Sequence, residues 1–145
     1  MLNPDFKEFL QSLNARDVRY LVVGGYAVAF HGHPRYTKDL DVWIDSSPDN
    51  AQRLLLALTD FGFGSVGLEV SDFTQPDRIV QLGYEPARID LITTLSGIDF
   101  SACFPLRVVV DIDGVPTHFI DVESLKKNKR ASGRTQDMAD LEQLE

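Results

Sequence analysis

Leu21–Asp45 reads LVVGGYAVAFHGHPRYTKDLDVWID, and the fold turns on how that stretch is parsed. A β-branched run, Leu21–Val23, ends in the pair Gly24-Gly25. The short apolar segment Tyr26–His31 follows with helical spacing. Thr37–Ile44 then alternates apolar and polar residues as a strand does. The reading is strand, glycine turn, helix, strand. In a strand, residues two apart share a face, so Asp39 and Asp41 point one way while Leu40, Val42 and Ile44 point into a core. Two neighbouring carboxylates on a stiff element repel unless a cation lies between them. Oxygen ligands favour Mg²⁺ for that role.

The remaining numbers bound the answer. The chain has 145 residues, is 43% apolar and carries a formal charge of −8. That length suits one domain with a real core. An acidic protein is a poor general nucleic-acid binder, because such affinity rests on neutralising phosphates. The single cysteine, Cys103, cannot form an internal disulfide, which fits a reducing compartment. No signal peptide and no apolar run near membrane-spanning length is visible. The expectation is a soluble, cytoplasmic protein with no membrane partner.

Outward from the central stretch, Asn3-Pro4 reads as a helix start, with Asn as cap and Pro at the first position. Phe6, Phe9, Leu10 and Leu13 give that helix its core stripe. Val18–Val23 is the first strand. Ser46-Ser47-Pro48-Asp49 opens a helix over Ala51–Phe61, which Gly62, Gly64 and Gly67 end. Leu68–Asp77 reads as loop or edge. Arg78–Leu82 and Ala87–Thr93 read as a hairpin about a turn at Tyr84-Glu85-Pro86. Arg107–Ile112 and Val115–Ile120 flank Asp113-Gly114, a two-residue hairpin turn. Asp121 caps a helix over Val122–Ala131, Ser132-Gly133 breaks it, and a last helix starts near Thr135. The pattern predicts one α+β domain over residues 1–145, with a mixed central sheet, helices packed on one side and C-terminal helices over about 121–145.

Sixteen aspartates in 145 residues give roughly one or two Asp-x-Asp pairs by chance, the risk attached to any short motif. Two occur. Asp111-Ile112-Asp113 runs straight into Gly114, so turn chemistry accounts for it. Asp39-Leu40-Asp41 sits inside a strand, where Asp is disfavoured, and so reads as a local rule broken for function. Gly24-Gly25 matches neither a P-loop nor a Rossmann fingerprint. Between strand and helix it still lets backbone approach a ligand closely, and the free N–H groups of the helix suit a phosphate.

Taken together, Gly-Gly, a short helix, about a dozen residues and Asp-x-Asp on a strand resemble the nucleotidyltransferase superfamily of DNA polymerase β-like fold. The string GGYAVAFHGHPRYTKDLDVWI is similar to bacterial small nucleotidyltransferases related to abortive-infection-type toxin nucleotidyltransferases. The resemblance implies a third carboxylate on a later strand in an apolar-Asp-apolar setting. Arg88-Ile89-Asp90-Leu91-Ile92 matches, which assigns that role to Asp90. The C-terminal string LKKNKRASGRTQDMADLEQL resembles the family's Lys, Gly-Arg and Asp-x-x-Asp-Leu helices and brings in Lys129, Arg134, Asp137 and Asp140. A helix-pairing network is the plainer reading of Arg134 with Asp137 and Asp140.

On that resemblance, Asp39, Asp41 and Asp90 are the catalytic residues and ligands of two Mg²⁺ ions. Gly24 and Gly25 hold triphosphate oxygens of an NTP. Arg35, Thr37, Lys38 and Lys129 are candidate phosphate contacts, with a solvated loop the plainer reading for the first three. His31 and His33 lack a metal-ligand pattern and read as structural. Trp43 reads as packing before base support, and Lys126, Lys127 and Arg130 as a solvated helix face. The acceptor is RNA, a protein side chain or a small molecule, with a toxin–antitoxin setting implied by the resemblance alone. Two other readings stand beside transfer: a non-catalytic nucleotide- or partner-binding module, and a metal-dependent phosphohydrolase. A short chain of this fold also suggests a homodimer or a helical partner chain that completes the pocket.

Overall fold

The computed structural model describes residues 3–32, 37–64, 67–83 and 88–145. Helix α1 (Pro4–Ala15) starts where the sequence predicts, with Asn3 Oδ1 accepting from the Asp5 amide at 2.8 Å. Its buried residues are Phe6, Phe9, Leu10 and Leu13, the predicted stripe. Strand β1 (Tyr20–Val23) follows, buried along its whole length, two residues shorter than the predicted strand. Helix α2 (Gly24–His31) begins directly at the glycine pair. The glycines are thus its first turn, two residues earlier than the apolar spacing suggests. Strand β2 (Leu40–Ile44) buries Leu40, Val42 and Ile44 and leaves Asp41 partly open.

Helix α3 (Pro48–Phe61) is capped by Ser47, which accepts from the Asn50 amide. Asn50 itself is fully buried. Its amide group donates to the carbonyls of Arg19 (3.1 Å) and Asp45 (2.8 Å), and its Oδ1 accepts from the Arg19 amide (2.7 Å). One side chain therefore pins α3 to the ends of β1 and β2. The stretch read as loop or edge contains a single helical turn, α4 (Ser71–Thr74), anchored by buried Phe73. Strands β3 (Ile79–Leu82) and β4 (Ile89–Ile92) pair antiparallel, as expected. The turn expected at Tyr84-Glu85-Pro86 lies outside the described residues.

No element was expected between β4 and the next strand. The chain there makes α5 (Phe100–Cys103) and a 3₁₀ turn, Phe104–Leu106. Phe100 packs edge-on to Trp43 at 5.1 Å. The hairpin β5 (Val108–Ile112) and β6 (Val115–Phe119) forms about Asp113 and Gly114. Both carry positive φ, 53° and 86°, as a type I′ turn requires. Asp111 accepts from the Gly114 amide at 2.9 Å, so this Asp-x-Asp is turn structure. Helices α6 (Val122–Ser132), capped by Asp121, and α7 (Thr135–Leu144) close the chain.

The six strands form one mixed sheet in the order β3-β4-β2-β1-β6-β5. Strand β2 runs antiparallel to β1 and parallel to β4. That parallel pairing sets Asp41 opposite Asp90 and Val42 opposite Leu91. Helix α1 packs on α3 and β6, α2 on β1 and β2, and α7 on α6 and α2. No described helix is long and apolar enough to cross a membrane.

Candidate active site

Each candidate carboxylate is placed by backbone alone. Asp39 immediately precedes β2, Asp41 is its second residue, and Asp90 is the second residue of β4. Because β2 and β4 are parallel and in register at Asp41 and Asp90, these side chains leave the sheet on the same face. The sheet thus brings together residues that are 49 positions apart in sequence.

On the other side of β2, Asp41 lies opposite Val23, the residue before Gly24. Gly24 has φ +64°, and a Cβ there would stand 2.1 Å from Asp41 Oδ2. Only glycine allows the first turn of α2 to lie this close to the carboxylate. Val23 offers no side-chain cap to the first turn of α2, the turn whose N–H groups lack partners within the helix itself.

The electrostatics follow from this crowding. Burial pushes the Asp41 carboxyl up to about 7, helped by the charge of Asp90, a hydrogen bond to it and the charge of Asp39; Arg88 pulls the other way without offsetting them. Two carboxyls this close share a proton or a cation. Arg88, just before β4, supplies part of the missing charge. Its Nη2 donates to Asp39 Oδ2 at 2.7 Å, and its Nε and Nη2 donate to the two oxygens of Asp90 at 3.0 and 3.2 Å. Asp39 Oδ1 is buried with no hydrogen-bond partner.

Sequence reasoning used Arg88 only as the flank of an apolar-Asp-apolar match. The signal was present all the same: Arg88 and Asp90 are two apart, on one face of one extended segment.

In kind, the donors fit a hard divalent cation: carboxylate oxygens only, one of them buried and unpaired. In placement they do not yet enclose one. Among the described residues, no group of three or more His, Cys, Asp or Glu side chains is placed to hold a metal ion.

A cleft of about 500 Å³ opens beside the carboxylates, within the usual range for small-molecule sites. Asp41 and Asp90 line it from the sheet, Thr94 and Ser96 from the segment after β4, and Asn128, Ser132 and Arg134 from the C-terminal helices. Asn128 Nδ2 donates to the Ser96 carbonyl at 3.0 Å and holds that segment against α6.

The other candidates fall on either side of this cleft. Lys129 is buried and pairs with Asp137 (3.2 Å) and Asp140 (3.1 Å). Arg134 also donates to Asp137, at 2.8 Å. This is the helix-pairing network, and α6 contributes Asn128 and Ser132 to the cleft where the resemblance had pointed to Lys129. Thr37 is partly buried and Lys38 exposed, both directly before Asp39. Arg35 and His33 lie outside the described residues. His31 Nε2 donates to the Ile120 carbonyl at 2.6 Å, a structural contact. Trp43 is buried, and its Nε1 donates to the Thr93 carbonyl at 3.4 Å.

Neither a family profile nor a curated protein matches the sequence. Solved structures do match the fold. A provisionally classed nucleotidyltransferase of Thermotoga maritima superposes with a TM-score of 0.62 at 13% identity, over 98% of this chain and 93% of the other. ANT(2″)-Ia, solved with adenylyl-2″-tobramycin, gives 0.58 at 10% identity, over 96% and 84%. An antigenic nucleotidyltransferase-like protein of Paracoccidioides brasiliensis gives 0.55 at 16% identity, over 99% and 75%. Likeness along nearly the whole chain, at identities this low, is a statement about architecture: the chain has the nucleotidyltransferase fold.

Proposed function

We propose that this protein is a divalent-metal-dependent nucleotidyltransferase that moves a nucleoside monophosphate from an NTP to an acceptor hydroxyl. One observation carries the reading: Asp41 and Asp90 face each other on adjacent strands beside a helix tip that only glycine permits. Nucleotidyl transfer asks for positioning and charge neutralisation more than for covalent chemistry. Asp39, Asp41 and Asp90 would hold Mg²⁺, which when bound neutralises charge on the attacking and leaving oxygens. Gly24, Gly25 and the first N–H groups of α2 bind triphosphate oxygens. Thr37 and Lys38, directly before Asp39, are further phosphate contacts in this reading, as is Arg35. Asp90 would take the proton of the acceptor hydroxyl. The cleft bounded by Ser96, Asn128, Ser132 and Arg134 takes the rest of the nucleotide or the acceptor.

Among acceptors, a small molecule or a protein hydroxyl suits a chain of charge −8 better than a long RNA, whose binding rests on basic contacts. ANT(2″)-Ia with its adenylylated tobramycin is an instance of the small-molecule kind. A toxin–antitoxin role rests on the sequence resemblance. The test is NTP-dependent labelling of a lysate with Mg²⁺. Labelling lost in Asp39→Ala and Asp41→Ala supports the site, and labelling that persists in both removes it.

A second reading has its own observation. Arg88 already ties Asp39 to Asp90, as it would in a module that binds nucleotide without turnover. Calorimetric NTP binding with no pyrophosphate released would favour that reading.

A further inference from the structure

We propose that Arg88 is the resident counter-ion of these carboxylates and competes with the divalent cation for them, so that metal binding displaces its guanidinium. The inference rests on the reading of Asp39, Asp41 and Asp90 as a metal site. Arg88 spans two of the three candidate ligands, holding Asp39 through one donor and Asp90 through a two-pronged contact. Such charge-assisted, forked contacts are the strong kind. A hard cation needs the same oxygens as direct ligands, and a fixed positive charge beside it is repelled. The side chains are only partly exposed, 30% for Arg88, 25% for Asp39 and 11% for Asp90, so solvent screens that repulsion incompletely. Asp39 Oδ1, buried without a partner, is left over by the guanidinium and suited to the ion.

With Arg88 engaged, oxygens of Asp39 and Asp90 are held by one guanidinium, and removing a competing arginine would free them for the ion. A purely structural arginine would behave in the opposite sense: its removal would loosen the carboxylates and weaken any ion they bind.

The test titrates Mn²⁺ into the whole chain and follows free ion by electron paramagnetic resonance, for the natural sequence, Arg88→Gln and Asp41→Asn. Competition predicts that Arg88→Gln binds Mn²⁺ at least about tenfold tighter, the scale of losing a charge-assisted bond to the competitor. Equal or weaker binding in Arg88→Gln overturns the proposal. Asp41→Asn separates the two claims. If it abolishes Mn²⁺ binding while Arg88→Gln changes nothing, the competition fails and the metal site stands. If Asp41→Asn leaves binding untouched, the site reading fails as well. Should Arg88→Gln not fold, the natural protein answers alone. The Arg88 Nε–Hε resonance should shift as Mg²⁺ fills the site, and a resonance unmoved at saturating Mg²⁺ overturns the proposal.

Discussion

Gly24 shows what one residue can decide. Its positive φ and its approach to Asp41 leave no room for a side chain. Gly24→Ala should cost about 1–2 kcal/mol from the left-handed backbone alone, plus whatever the clash with Asp41 displaces. Thermal melts and NTP labelling check this: a lower melting temperature together with at least a tenfold loss of labelling is expected, since misplacing a site by about 1 Å is costly. Asp39 and Asp41 were legible in the sequence because alternation and a broken propensity rule mark them, and the glycine pair by its place between strand and helix; Asp90 came from the family resemblance. Arg88 was not legible. A sequence shows that a charge exists and leaves open which partners it meets, and here one partner is 49 positions away. Lys129 taught the converse: the resemblance pointed to a lysine that the structure sets between two buried aspartates.

Among the elements, the C-terminal helix pair carries the clearest energetic demand. Lys129 is buried between Asp137 and Asp140, and a buried ion network is costly to break from one side. Lys129→Met should lower unfolding stability by about 3–5 kcal/mol in denaturant titrations, because it takes from buried Asp137 and Asp140 the ammonium they share.

The same network sets a pH dependence. Burial raises the Asp137 carboxyl, but Arg134 and Lys129 more than offset it and hold it below the ordinary 3.8. A carboxyl held down in the folded state contributes stability above its unfolded value, and that stability is lost as pH falls through the folded one. Melts of the natural protein should therefore steepen in their decline below about pH 4, and Asp137→Asn should lack that part of the decline. Long, periodic helices such as α1, α3 and α6 were readable from spacing and caps. The four-residue turns α4 and α5 were not, because one helical turn is too short to show a period.

For the whole molecule, sheet order is the property that sequence pattern could not supply. Hairpins β3–β4 and β5–β6 are local and were expected. The crossings that set β4 beside β2 and β6 beside β1 are long-range, and they are what assemble the site. Asn50 ties α3 to the strand ends that frame this arrangement. Asn50→Ala removes three side-chain bonds to the Arg19 amide and the Arg19 and Asp45 carbonyls, and equilibrium unfolding should register a loss of about 2–4 kcal/mol. Net charge acts at this scale too. At physiological salt, random-sequence RNA should bind more weakly than about 10⁻⁴ M in fluorescence anisotropy, the weak limit of non-specific association. The most direct measurement is pyrophosphate release from an NTP, with and without Mg²⁺, by the natural chain and by Asp41→Asn. Transfer at the paired carboxylates predicts release that requires Mg²⁺ and falls at least about a hundredfold in the variant. Equal release from both proteins would contradict it.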